Sequence, residues 1–143
     1  MHDENVKSLE ATLALKTEAI VGESPVWSVQ EKVLYWVDIT RGEIHRFNPR
    51  SGKDERFRLE EPVSAIALRK KGGLVITMRD GFAFFDPETG KLEMINDPES
   101  DMPDNRFNDA KCDPRADCGA GRCAIHNGTS PRGAFIVSIL ISR

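Results

Sequence analysis

The chain has 143 residues and a formal net charge of −3. That length fits one domain, and without a basic excess no nucleic-acid partner is expected. No apolar run approaches the ~18 residues that cross a bilayer, so no membrane span is expected either.

The N-terminus, Met1-His2-Asp3-Glu4-Asn5, is acidic and has no apolar core of the kind a secretory signal needs. Its three cysteines, Cys112, Cys118 and Cys123, are odd in number and close together. They imply no disulfide framework, and the expected location is cytoplasmic. Val6 to Leu15 reads as a short helical turn outside any repeat.

A repeat follows. Val33-Leu34-Tyr35-Trp36-Val37 is strand-like and leads to the turn Phe47-Asn48-Pro49-Arg50-Ser51-Gly52-Lys53. The same turn returns 38 positions later as Phe85-Asp86-Pro87-Glu88-Thr89-Gly90-Lys91, after the strand-like Leu74-Val75-Ile76-Thr77. Asn or Asp before Pro starts such a turn and Gly ends it. Each copy precedes a further strand candidate, Glu55 to Leu59 and Leu92 to Ile95. A period near 40 residues with three or four short strands marks a β-propeller blade. The predicted fold is all-β, about three N-terminal blades of an incomplete propeller. Propeller blades stack because none buries both faces alone, so open strand edges invite self-association.

Two segments suit chemistry. In Gly22-Glu23-Ser24-Pro25-Val26-Trp27, a carboxylate at the inner start of a propeller strand would face the channel, where hard cations take oxygen ligands. The competing reading is an exposed turn glutamate. In Asn105-Arg106-Phe107-Asn108-Asp109-Ala110-Lys111, strand alternation puts Arg106 and Asn108 on one face and Phe107 and Asp109 on the other. Guanidinium and amide together suit a polyhydroxylated or carboxylated small molecule. The competing reading is a polar loop that satisfies its own backbone.

Gly22 to Trp27, Leu34-Tyr35-Trp36-Val37-Asp38-Ile39, Ile44-His45-Arg46-Phe47 and Asn105 to Pro114, in this order, resemble the regucalcin/gluconolactonase (senescence marker protein) family. The resemblance covers roughly residues 15 to 115. It implies a six-bladed propeller that binds one divalent cation (calcium, zinc, manganese or magnesium) and hydrolyses sugar lactones. It assigns Glu23 to the metal and Arg106 and Asn108 to the substrate. The Asp expected as general base falls beyond this chain. A calcium-binding regulatory protein without turnover, or an inactive truncated product, are the alternatives.

Three regions are therefore expected: an extension over 1–14, a partial lactonase-like propeller over 15–115, and an aberrant tail over 116–143. The family continues past Asp-Pro with a strand of the type Gly-Arg-Leu-Trp. Reading the wobble base of each codon with the first two of the next permits that text from Arg115 through Gly119. The tail is thus expected to be out of frame. On that reading Cys112, Cys118, Cys123 and His126 are not a zinc site; their spacings are x₅, x₄ and x₂, and the only short one joins Cys123 to His126 rather than two cysteines. Ala134 to Ile141 reads as a β-prone segment, buried in the bland case and an aggregation hazard if exposed.

Overall fold

A computed structural model describes residues 10–97, 100, 105–112, 117–124 and 135–140. Among them are eleven strands in three antiparallel sheets and no helix. The first sheet is β1 (Gly22–Ser28), β2 (Val33–Asp38), β3 (Glu43–Asn48) and β4 (Lys53–Arg58), in that order across the sheet. The second repeats it with β5 (Val63–Leu68), β6 (Leu74–Met78), β7 (Gly81–Phe85) and β8 (Leu92–Asn96). The third holds β9 (Asn105–Cys112), β10 (Asp117–Ala124) and β11 (Phe135–Leu140), with β10 in the middle. These are consecutive propeller blades, as the 38-residue repeat predicts.

The two copies of the turn are built alike. The Asn48 side-chain oxygen accepts from the N–H groups of Arg50 and Ser51, and Asp86 accepts from the Glu88 N–H and the Thr89 hydroxyl. The Gly52 and Gly90 N–H groups each donate back to the turn's first carbonyl at 2.8 Å. Both glycines have φ near +70°, at 72° and 71°, which explains why the repeat keeps Gly there.

The main core is shared between the first two blades. Val33, Tyr35, Val37 and Ile44 pack with Val63, Ile66, Leu74, Ile76, Met78, Ala83 and Phe85, all buried. The Phe57 and Phe85 rings meet edge to face across this boundary, 5.6 Å between centroids. Arg46 of β3 reaches Glu88 in the second blade's turn and also pairs with Glu55 at 2.6 Å. Val75, Phe82 and Phe107 join the second blade to the third.

One expectation is corrected. Residues 10–15 form no helical turn. They lie mostly exposed, so no packed face offsets the cost of starting a short helix. Val6 and the residues up to 9 lie outside the described residues. Past Arg115, residues 117–124 and 135–140 pair in register with β9 and with each other.

Candidate functional site at the inner strands

Each blade contributes its first strand to the inner edge. β1 packs on β5, and β5 on β9. Glu23 therefore lies on the inner strand of the first blade, and Arg106 and Asn108 on that of the third. All three are exposed. None of the three side chains makes a hydrogen bond or ion pair with another described residue.

All three inner strands carry a β-bulge. In β1, Glu23 pairs with Val37 but Val26 with Tyr35, so Ser24-Pro25 holds one extra residue. In β5, Val63 pairs with Met78 and Ala65 with Thr77, which leaves Ser64 extra. In β9, Asp109 pairs with Gly121 and Phe107 with Arg122, which leaves Asn108 extra. A bulge bends the strand and redirects side chains, and bulges gather near active sites.

The β9 bulge changes the expected alternation. Phe107 is buried at 2% exposure and meets the Phe82 ring edge to face at 4.9 Å. Asp109, predicted to share its face, is exposed; its carboxylate accepts from the Ala110 N–H and lies 3.5 Å from the Lys111 ammonium. The inserted residue breaks the period of two. Arg106 and Asn108 remain exposed on either side of the buried Phe107 anchor.

Asp38 supports Glu23 from behind. It is fully buried at the end of β2, and Gly22 is its cross-strand partner. Its carboxylate accepts from the N–H groups of Ile20 at 2.8 Å, Val21 at 3.2 Å and Arg41 at 3.4 Å. Burial pushes this carboxyl up, but the three backbone donors, helped by the Arg41 charge, outweigh it and hold Asp38 below the ordinary value. The two residues that lead into β1 are thereby tied to β2. Sequence reasoning placed Asp38 only in a motif. An Asp closing an apolar strand just before a turn was the available signal for such an anchor.

A second polar cluster lies away from the inner edge. His45 is 2% exposed, stacked on Trp36 with centroids 3.7 Å apart. Its Nδ1 is 2.8 Å from Asp54, and its Nε2 is 3.5 Å from Glu43. It sits in β3, inside the sheet, and locks β3 to β4.

The cysteines can be placed by backbone alone. Cys112 and Cys118 are cross-strand partners, while Cys123 pairs with Arg106. Cys118 and Cys123 are five positions apart on one strand, roughly 17 Å at ~3.3 Å per residue. One ion cannot bridge that span. His126 lies outside the described residues. No group of three His, Cys, Asp or Glu suited to a metal occurs among the described residues. Glu23 is an exposed carboxylate oxygen donor of the right kind at the inner edge. No helix among the described residues is long and apolar enough to cross a membrane.

Comparison with known proteins places these features. Residues 21–139 match the family described as SMP-30/Gluconolactonase/LRE-like region. The chain is 36% identical over 100 residues to 6-deoxy-6-sulfogluconolactonase of Pseudomonas putida, covering 70% of this chain and 34% of that one. It is 39% identical over 101 residues to regucalcin of Xenopus laevis, covering 71% and 34%. Among solved structures, the calcium-binding protein regucalcin of Agrobacterium tumefaciens superposes with a TM-score of 0.71 at 29% identity. That match covers 76% of this chain and 37% of the other. The chain thus spans between a third and two fifths of the length of these relatives. With 119 residues matched and the blade architecture in common, the chain belongs to the SMP-30/gluconolactonase/LRE-like family.

Proposed function

We propose that this chain forms the N-terminal part of a sugar-lactone hydrolase channel that uses one divalent cation. The observation that carries the reading is the placement of Glu23, Arg106 and Asn108. In a chain of this family they stand exposed on inner strands, two of them beside or within bulges. A relative named for gluconolactonase activity and a neighbour named for calcium binding support the substrate and the metal respectively.

Glu23 would hold the cation as one oxygen ligand, a donor that suits calcium, magnesium or manganese. When bound, a divalent cation supplies Lewis acidity toward an ester carbonyl and lowers the pKa of bound water. Arg106 and Asn108 would hydrogen-bond the ring hydroxyls and hold the ester in place, which raises the rate by positioning. Phe107, buried between them, fixes the strand that carries both. The remaining ligands and the general base fall to parts of the fold that these blades do not contain. On its own, then, the chain is expected to be inactive or impaired, and its exposed edges to favour self-association.

Metal titration by calorimetry and a lactone-hydrolysis assay test the reading together. In a catalytically competent full-length relative, Glu23→Gln should weaken cation binding and Arg106→Ala should mainly raise KM. Unchanged cation affinity in Glu23→Gln removes the metal assignment. The calcium-binding neighbour favours a second reading, a calcium-responsive protein without turnover. Cation binding without hydrolysis of any sugar lactone, in a full-length relative, would select it. We also propose that residues 116–143 are an out-of-frame continuation of a lactonase gene. Residues 116–139 of that segment fall within the in-frame family match, which weighs against a shifted frame, and the DNA downstream of codon 115 decides the matter.

A further inference from the structure

We infer that Ser24 is a positioning residue for Glu23, acting as a latch between the first and second blades. The inference rests on the reading of Glu23 as a cation ligand and adds a residue with no role assigned so far.

Three observations converge on Ser24. Its backbone has φ 52°, in the left-handed region that residues with a side chain rarely adopt. Pro25 follows, and a proline biases the residue before it toward extended backbone. Local preference therefore opposes the observed conformation from both sides. Something beyond the local chain holds it, and the side chain shows what. Ser24 is buried at 6% exposure, and its hydroxyl oxygen accepts from the Ile66 N–H at 2.8 Å. That donor lies 42 positions away on β5, the inner edge strand of the next blade, and the bond is buried.

The bond answers two needs at once. An edge strand leaves backbone donors unpaired, and a buried donor without a partner is costly. Ser24 satisfies the Ile66 donor where no strand of the second blade is available. In return the bond fixes the bulge in β1. That bulge sets the parity of the strand, since Glu23 pairs with Val37 and the register resumes at Val26 with Tyr35. In a sheet, a slip of one residue moves a side chain to the opposite face. Loss of the bulge would therefore turn either Glu23 or the Val26-Trp27 pair to the wrong face. Val26 packs against the shared core, so Glu23 is the residue free to move. Ser24 thus determines that the carboxylate at position 23 faces outward from the inner edge.

The test compares wild type with Ser24→Ala, Ser24→Gly and Glu23→Gln. Ser24→Ala keeps the backbone opposition and removes the acceptor. Ser24→Gly removes both, so it folds even if the alanine variant does not. Amide hydrogen exchange should be about tenfold faster or more at Ile66 and Glu23 in both Ser24 variants. Calcium titration by calorimetry should show affinity about tenfold weaker or more in both. A lower melting temperature with unchanged calcium affinity would make Ser24 merely structural and overturn the inference. So would weakening confined to Ser24→Ala, because backbone strain and not the hydroxyl would then be responsible. If Glu23→Gln binds as tightly as wild type, the metal reading itself fails; if wild type binds no calcium, the ligands outside these blades account for it and the titration says nothing about Ser24. The exchange data then decide the latch alone: faster exchange at both amides supports it, and unchanged exchange overturns it.

Discussion

Replacing Asp38 by alanine removes the acceptor for three backbone donors at once. The Ile20 and Val21 bonds, at 2.8 and 3.2 Å, are the shorter ones, and the Arg41 bond at 3.4 Å is weak. Hydrogen bonds to a charged group contribute about 1.5–3 kcal/mol each. Ile20 and Val21 are 59% and 40% exposed, so their amides regain water when the carboxylate goes. The net loss expected is therefore about 2–3 kcal/mol rather than the full sum. Asp38→Asn keeps one oxygen but presents an NH₂ group to one pair of donors, and about half that loss is expected. Urea denaturation at pH 7 should show a lower midpoint with an unchanged slope for both variants. The pH dependence has a fixed sign. Asp38 is held below its ordinary value of 3.8 in the folded state. Its contribution is complete above the unfolded-state value and is lost as pH falls through the folded-state value. The gap between wild type and Asp38→Asn should thus be constant from pH 7 to 5 and shrink below about pH 4. Equal stability of Asp38→Asn and wild type at pH 7, or a gap that grows on acidification, refutes the account.

Three other outcomes are expected. Tyr35 is the chain's single tyrosine, and burial, opposed in part by Arg46, pushes its hydroxyl up to about 12. A spectrophotometric titration of the folded protein should therefore show no tyrosinate at pH 10.5, about half a unit past the ordinary value near 10; ionisation there would show the ring to be solvated. Gly81 has φ 138°, and a Cβ on it would lie 2.2 Å from the Asn96 carbonyl oxygen. Gly81→Ala should destabilise by about 3 kcal/mol or more through strain and displaced backbone, read from thermal or urea unfolding. Phe107→Ala should cost about 3–5 kcal/mol, since it empties a fully buried ring site against Phe82. A loss below about 1 kcal/mol would mean that the third blade is not packed on the second.

The repeat was readable because its signal is local. A proline after Asn or Asp, with glycine three positions on, dictates the turn from within seven residues, and both turns form as that pattern requires. The same holds for Val33 to Val37, whose apolar β-branched and aromatic run can hardly be anything but a buried strand. Arg106 and Asn108 were visible as a polar pair at strand spacing. Their relation to Asp109 was not, because a bulge depends on what the opposite strand offers. Ser24 was hidden for the same reason, since its partner is 42 positions away. Asp38 read as part of a motif, but its acceptor role depends on a segment with no pattern of its own. Local chemistry thus exposed the scaffold, while the residues that aim the site are defined by contacts between blades.

The shared core of the first two blades also decides where this chain can be divided. A cut in the connection between Arg58 and Val63 follows the boundary that the sequence repeat suggests. It would split an apolar cluster to which both sheets contribute, and each half would present a wet hydrophobic face. A cut at the tip of the second Pro-Gly turn keeps the cluster in one fragment, since all its buried members precede Gly90, whereas a cut at Gly52 divides them as the linker cut does. Fragments made at the Gly90 tip should reassemble when mixed, and tags or inserted domains should be accepted at either tip, where an added Cβ meets nothing within 4 Å. For engineering purposes the unit is the pair of blades, and the turn at Gly90 is its natural seam.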